Sequence, residues 1–173
     1  MSLPDYRKWL TVDLVRALID YNPSTGVVTR RVDRGGTAKP GTVAGSVSRG
    51  PKYGYRRIRL REATLFAHRI AWLHFYGVWP TGQIDHINGI RDDNRISNLR
   101  DVTGTDNAQN RRVAQSVSTT GFLGVMKKRS RPGFEARIRV NGTRIYLGYF
   151  KTPEEAHAVY VEAKRRLHRT CTL

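Results

Sequence analysis

The sequence predicts an α+β protein. It should have an N-terminal region of small sheet and helices, a central strand–loop–strand–helix core, and a C-terminal three-stranded antiparallel sheet packed on one helix. Three observations carry this. Short apolar stretches at helical spacing alternate with short segments of period two. Phe134–Val140 alternates cleanly and is followed by Asn141-Gly142, a strong hairpin signal. Thr152-Pro153-Glu154-Glu155 is a capping box with proline at the first helical position, so a helix follows the hairpin. The 173 residues suffice for one ordinary domain or two to three small ones.

In chain order, Val12–Tyr21 carries Leu14, Val15, Leu18 and Ile19 at helical spacing and should be a helix, ended by the turn Asn22-Pro23-Ser24-Thr25-Gly26. Val27–Val32 can be a strand. Residues 33–50 are rich in Gly, Lys and Arg and read as a loop or small irregular sheet. Tyr53–Leu60 reads as a strand with Arg56, Arg57 and Arg59 exposed, and Thr64–Ala67 can pair with it. His68–Tyr76 is a helix candidate. His68 and His74 lie six apart, which is not a one-face helical spacing, so they read as packing or hydrogen-bonded residues rather than ligands.

Gln83–Ile87 is a short strand candidate and Asn88-Gly89 a tight-turn signal. Arg91-Asp92-Asp93-Asn94 is a polar loop and Ser97–Val102 a second strand. Thr103 or Thr105 can cap a helix running to about Val113, with Asn107 in its first turn. Ala114–Thr120 has no periodicity and reads as a linker. Beyond it, Phe122–Lys128, Phe134–Val140 and Thr143–Phe150 are the three strands. Phe134, Ala136, Ile138 and Val140 share one face with Ile145 and Leu147, while Arg137, Arg139, Arg144 and Tyr146 share the other. The final helix carries Ala156, Val159, Tyr160, Ala163 and Leu167 along one stripe, which should cover the apolar face and leave the arginine face free.

The formal net charge is +17, from 31 Lys+Arg against 14 Asp+Glu. Such an excess points to a polyanionic partner. It is mostly arginine in strand-like segments, which suits phosphates and guanine edges rather than a membrane surface. The excess is uneven. Residues 1–60 hold 12 basic and 4 acidic residues, residues 61–112 hold 7 and 6, and residues 113–173 hold 12 and 4. Two basic flanks bracket a nearly neutral middle. The single cysteine, Cys171, excludes an intrachain disulfide framework or a cysteine-based zinc site and fits a reducing cytosol. The first ten residues carry no apolar signal-peptide core, and no run reaches the length of a membrane span.

The neutral middle contains Asp85 and His86 side by side, Asn98 12 residues after His86, and Asn107 9 residues after Asn98. Carboxylates in a protein that binds nucleic acid repel phosphate unless a cation mediates. Phosphodiester hydrolysis needs a nucleophilic water, a cation at the scissile phosphate and stabilisation of the leaving oxygen. An imidazole is a suitable base near neutral pH. A carboxylate and an amide oxygen are hard ligands that favour Mg²⁺ or Mn²⁺ over Zn²⁺. The competing reading is an incidental Asp-His turn pair with capping asparagines.

The runs His68-Arg69-Ile70-Ala71-Trp72, Ile84-Asp85-His86-Ile87-Asn88-Gly89 and Asp93-Asn94-Arg95-Ile96-Ser97-Asn98-Leu99-Arg100 resemble the HNH endonucleases of phage and intron origin, more narrowly their homing branch. The resemblance covers about Leu14–Arg112 and implies a ββα-metal fold. It implies His86 as general base, Asp85 and Asn107 as ligands of one divalent ion, and Asn98 as a structural and orienting residue. The common form has a second histidine where this chain has Asn107. The C-terminal half is similar to the plant APETALA/ethylene-response-factor DNA-binding domain. The matching pieces are Gly124-Val125, Phe134-Glu135-Ala136-Arg137-Ile138, Tyr146-Leu147-Gly148-Tyr149-Phe150, Glu154-Glu155-Ala156 and Val159-Tyr160. That resemblance implies a DNA face of Arg137, Arg139, Arg144 and Tyr146, with Lys128 on the first strand. Phe134 replaces the family's usual tryptophan.

The expected organisation is a basic DNA-contacting region at 1–60, with Arg56, Arg57 and Arg59 on DNA. A nuclease core at 61–113, a linker at 114–120, a DNA-binding domain at 121–169 and a short tail follow. The expected function is a metal-dependent, site-specific endonuclease of phage or mobile-element type, cutting double-stranded DNA as a monomer in the cytosol. It needs Mg²⁺ or Mn²⁺ and no small-molecule cofactor or membrane. A single active site suits nicking of one strand, and a dimer suits cutting both. The alternatives are a non-catalytic DNA-binding regulator derived from a nuclease, and an RNA-binding protein. The second should show aromatics on a sheet face, a weak signal at 9% aromatic content.

Overall fold

Thr11 accepts a hydrogen bond from Leu14 N at 3.3 Å and so caps α1 (Val12–Leu18). The helix is shorter than the sequence suggests. Ile19 is extended, with φ −143°, and opens β1 (Ile19–Tyr21), which pairs antiparallel with β2 (Val28–Arg30). As strand residues, Ile19 and Tyr21 both face the core while Asp20 faces solvent. The structure is a computed structural model that describes residues 6–47, 54–114, 118–128, 130, 132–168 and 170–171. Tyr53 at the start of a predicted strand, the end of the 33–50 loop and 115–117 of the predicted linker lie outside the described residues.

The chain forms two compact units, Met1–Val102 and Thr103–Leu173. In the first, β3 (Ser46–Val47), β4 (Arg56–Leu60) and β5 (Ala63–Phe66) make an antiparallel sheet in that order. Ile58 and Leu60 of β4 point inward, while Arg57 and Arg59 point out. β3 falls within residues 33–50, which read as a loop or small irregular sheet. α2 (Ala67–Tyr76) buries Ile70, Ala71 and Leu73 and ends at Gly77, which takes the left-handed conformation with φ 77°. β6 (Gln83–His86) then pairs antiparallel with β7 (Leu99–Val102), where Asp85 lies opposite Arg100 and His86 opposite Leu99. The residues predicted to start β7 form a 3-10 turn instead, Ile96–Asn98. One core joins these elements, with Val15, Ile19, Ile58, Ile70, Ile84 and Leu99 among its members.

In the second unit, Thr103 caps α3 (Gly104–Gln109) by accepting from Asp106 N at 3.1 Å. The helix stops at Asn110 rather than near Val113. β8 (Val125–Lys127), β9 (Phe134–Val140) and β10 (Thr143–Phe150) form an antiparallel sheet with β9 in the middle. The β9–β10 turn places Asn141 and Gly142 at φ 48° and 84°, the handedness that a two-residue hairpin needs. α4 (Pro153–Leu167) begins with both halves of the capping box formed. It buries Ala156, Tyr160 and Ala163 against Val125, Ala136 and Ile138. The predicted α+β class and the three strands on one helix are therefore present. No helix among the described residues is long and apolar enough to cross a membrane.

Candidate active site

β6 alternates, with Ile84 and His86 buried and Gln83 and Asp85 turned the other way. The ribbon register sets Asp85 beside Arg100, whose Nε and Nη2 donate to Asp85 Oδ2 at 2.9 and 2.7 Å. His86 enters an aromatic pocket. His68 packs edge-on against it with ring centroids 5.2 Å apart, and Tyr55 lies 5.8 Å away. Phe66 stacks on His68 at 5.2 Å and an interplanar angle of 12°. Burial holds His86 below the usual imidazole range, opposed by its contact with Asn94 and by the Asp85 and Asp93 charges. His68 is held neutral more strongly, pushed down to about 3 by burial and by its basic neighbours.

The loop after His86 is built by asparagines and aspartates. Gly89 N donates to His86 O at 2.9 Å, with Gly89 at φ 77°. Asn98 closes the loop from the far side. Its Oδ1 accepts from Asn88 N at 2.9 Å, its Nδ2 donates to Asp93 O at 2.8 Å, and its carbonyl accepts from Ile87 N at 2.9 Å. Asn98 therefore bonds the backbone next to His86. The ring's partner is Asn94, whose Oδ1 lies 3.5 Å from His86 Nε2. Asp93 accepts from Asn88 Nδ2 at 2.7 Å and from Arg95 Nε and Nη2 at 2.8 and 2.6 Å. The Arg95 bonds lead in holding its carboxyl down to about 2.

Arg56 departs from expectation. It is not exposed with Arg57 and Arg59, because its Nε and Nη2 grip the two Asp92 oxygens at 2.9 and 3.0 Å. Each of the loop's two consecutive aspartates has its own cation, Arg56 for Asp92 and Arg95 for Asp93. Arg57 and Arg59 do point outward. They line a cleft with Arg30 and Arg34, and no acidic side chain is among the residues lining it. Asn107 is on α3, in the second unit, whereas Asp85, His86 and Asn98 are in the first.

Residues 65–109 match the family model of the HNH endonucleases. The match runs from β5 to the end of α3 and contains Asp85, His86, Asn98 and Asn107. An HNH domain implies DNA binding and nuclease-type hydrolysis, and such nucleases generally use a divalent metal ion. No curated protein and no solved structure matches the chain.

Among the described residues no group of three or more His, Cys, Asp and Glu side chains could hold a metal ion. The oxygen chemistry nevertheless fits a hard cation. Mg²⁺ commonly binds through one or two carboxylates, completed by substrate phosphate and water. Asp85 would supply one such carboxylate, and it is already paired with Arg100.

Sequence reasoning missed Asn94, Tyr55, His68 and Arg100 as parts of this site. Arg100 follows directly once Asp85 and His86 are paired with β7. Tyr55 precedes β4 and His68 sits on α2; the run that begins at His68 carries part of the resemblance, but nothing in it marks the ring as a neighbour of His86.

In the second unit the predicted arginine face is formed. Arg137 pairs across strands with Tyr146, and Arg139 with Arg144. The register shifts between Tyr146 and Gly148, which sets Gly148 opposite Ala136 and Phe150 opposite Phe134, and Leu147 and Phe150 both pack on the apolar side. Lys128 lies just past β8, not on it. Glu135 is buried on this face, with Lys128 Nζ 3.0 Å from its Oε1 and Arg137 Nη2 2.7 Å from its Oε2. The second is an ion-pair approach without hydrogen-bond alignment. Burial pushes the Glu135 carboxyl up, but Lys128 and Arg137 together outweigh it and hold it below the usual range.

Proposed function

We propose that the protein is a metal-dependent, site-specific DNA endonuclease of the homing or phage-encoded kind, acting as a monomer on double-stranded DNA. The observation that carries this reading is His86. It is buried, kept in its neutral form by its surroundings, and fixed at the mouth of an asparagine-built loop inside the segment that matches HNH endonucleases. A neutral imidazole is a competent base near pH 7.

In the proposed reaction His86 accepts one proton from a water molecule. The water oxygen bonds to phosphorus as the bond to the leaving 3′ oxygen breaks, and that oxygen takes a proton from solvent. Asn98 keeps the loop that follows His86 closed. Asp85 is the proposed first ligand of a Mg²⁺ or Mn²⁺ ion, and Asn107 the second by its place in the family pattern. When bound, the ion supplies charge neutralisation at the scissile phosphate. Arg57 and Arg59, in their arginine-lined cleft, are proposed phosphate contacts. Arg137, Arg139, Arg144 and Tyr146 are the proposed base-reading face of an APETALA-like second unit, with Lys128 at its edge. Support for that face is its cross-strand pairing on the side away from α4.

One observation favours a second reading, a DNA-binding regulator derived from a nuclease. Arg100 already neutralises Asp85. Incubation of supercoiled plasmid with the protein and Mg²⁺ or Mn²⁺ separates the two. Relaxed or linear product supports the nuclease, and intact DNA that shifts in a gel supports the regulator.

A further inference from the structure

Asn94 is 2% exposed, and its amide has one possible orientation. Nδ2 donates to Asp92 O at 3.1 Å. Reversing the amide would set two acceptors, Oδ1 and Asp92 O, against each other there. Oδ1 is therefore the atom that faces His86 Nε2, at 3.5 Å. A carbonyl oxygen can only accept, so the neutral His86 ring must carry its proton on Nε2 and its lone pair on Nδ1.

The backbone of Asn94 is held from the N-terminal hairpin. Tyr21 Oη donates to Asn94 O at 2.8 Å in a buried setting. Ile96 N donates to Pro23 O at 3.0 Å. Gly26, with φ 75°, lies so close that a Cβ on it would be 2.6 Å from Asn94 C and 2.5 Å from Arg95 N. Asp92, which receives the other end of the Asn94 amide, is clamped by Arg56.

We propose that Asn94 is the positioning residue that sets the tautomer of His86, so that Nδ1 is the atom that takes the proton from the attacking water. The β1–β2 hairpin is then a support of the active site and not only a surface for DNA. The assignment rests on the proposed role of His86 as general base, but its first test does not. Asn94 acts through His86 and touches no reacting atom.

The test is a long-range proton–nitrogen correlation spectrum of the ¹⁵N-labelled full chain, without DNA or metal, at a pH where His86 is neutral. The His86 signals are assigned by their loss in His86→Gln. The wild type should show the Nε2–H tautomer. Asn94→Asp, which keeps an acceptor, should retain it, and Asn94→Ala should lose the preference. In cleavage assays Asn94→Ala should lower kcat about 10- to 100-fold with KM for DNA within about twofold. An Nδ1–H tautomer in the wild type overturns the proposal, whether or not the variants fold. So does Asn94→Ala with unchanged tautomer and unchanged kcat. If the wild type cuts no DNA while its tautomer is Nε2–H, the nuclease reading fails and the Asn94–His86 relationship stands.

Discussion

Arg100 donates both Nε and Nη2 to the same oxygen of Asp85, at 2.9 and 2.7 Å. The two residues are direct cross-strand partners, and their side chains are only 24% and 13% exposed. A cation on Asp85 therefore competes with, or shares, an existing ion pair. Partly buried pairs of this kind contribute on the order of 1 kcal/mol, equivalent to about fivefold in affinity. Arg100→Gln should tighten Mn²⁺ binding by about that factor, measured by Mn²⁺ titration followed by electron paramagnetic resonance. Unchanged Mn²⁺ affinity would show that Arg100 does not compete for Asp85.

A Cβ added to Gly26 would lie 2.5 to 3.0 Å from the backbone of Asn94 and Arg95, and the φ of Gly26 is 75°. A methyl group there adds left-handed strain of about 1–2 kcal/mol and overpacking of about 1–3 kcal/mol. Gly26→Ala should therefore lower the midpoint of urea unfolding clearly. Gly35→Ala is the control. Its φ is 85°, but nothing lies within 4 Å of the added carbon, so only the strain remains. Equal midpoints for the two variants would contradict the close approach of the hairpin to the loop.

His68 supplies a pH signature. Its folded pKa is depressed to about 3 from 6.5, so the unfolded chain takes up a proton that the folded chain refuses. The stability from this group is fully present above pH 6.5 and is lost as pH falls toward 3. Urea midpoints should decline across that window in the wild type and more shallowly in His68→Gln. Parallel declines would show that His68 is protonated in the folded state.

Much of this is legible in the sequence. The Asn141-Gly142 turn and the Thr152–Glu155 capping box locate the second unit's hairpin and helix because both signals are local. Asp85, His86 and Asn98 stand out by residue type and spacing. What stays hidden is non-local. Arg56 reads as an exposed strand arginine until the fold brings Asp92 to it. Asn94 reads as one more polar loop residue, because its value lies in a buried amide facing His86 and in the Tyr21 hydroxyl, 73 residues away. The helix predicted over residues 12–21 ends early at Ile19 because helical spacing and strand alternation both fit Ile19 and Tyr21, and pairing with β2 decides between them.

The arginine face of the second unit makes a prediction about salt. Arg139 and Arg144 are cross-strand neighbours on the side away from α4. If both neutralise phosphates, Arg139→Ala with Arg144→Ala should reduce the slope of log affinity against log salt by roughly 1.8, about 0.9 for each phosphate no longer neutralised. If they read bases, the double variant should lose site preference with a smaller change in slope. Fluorescence anisotropy with specific and random duplexes separates these outcomes. Unchanged affinity, slope and preference would remove this face from DNA binding.

The decisive experiment is cleavage of supercoiled plasmid by wild type and His86→Ala in Mg²⁺ or Mn²⁺, at protein concentrations that give equal DNA binding. With His86 as general base, the wild type should give nicked or linear product, and His86→Ala should cut at a rate at least about 100-fold lower. Cleavage by His86→Ala at the wild-type rate would contradict that role.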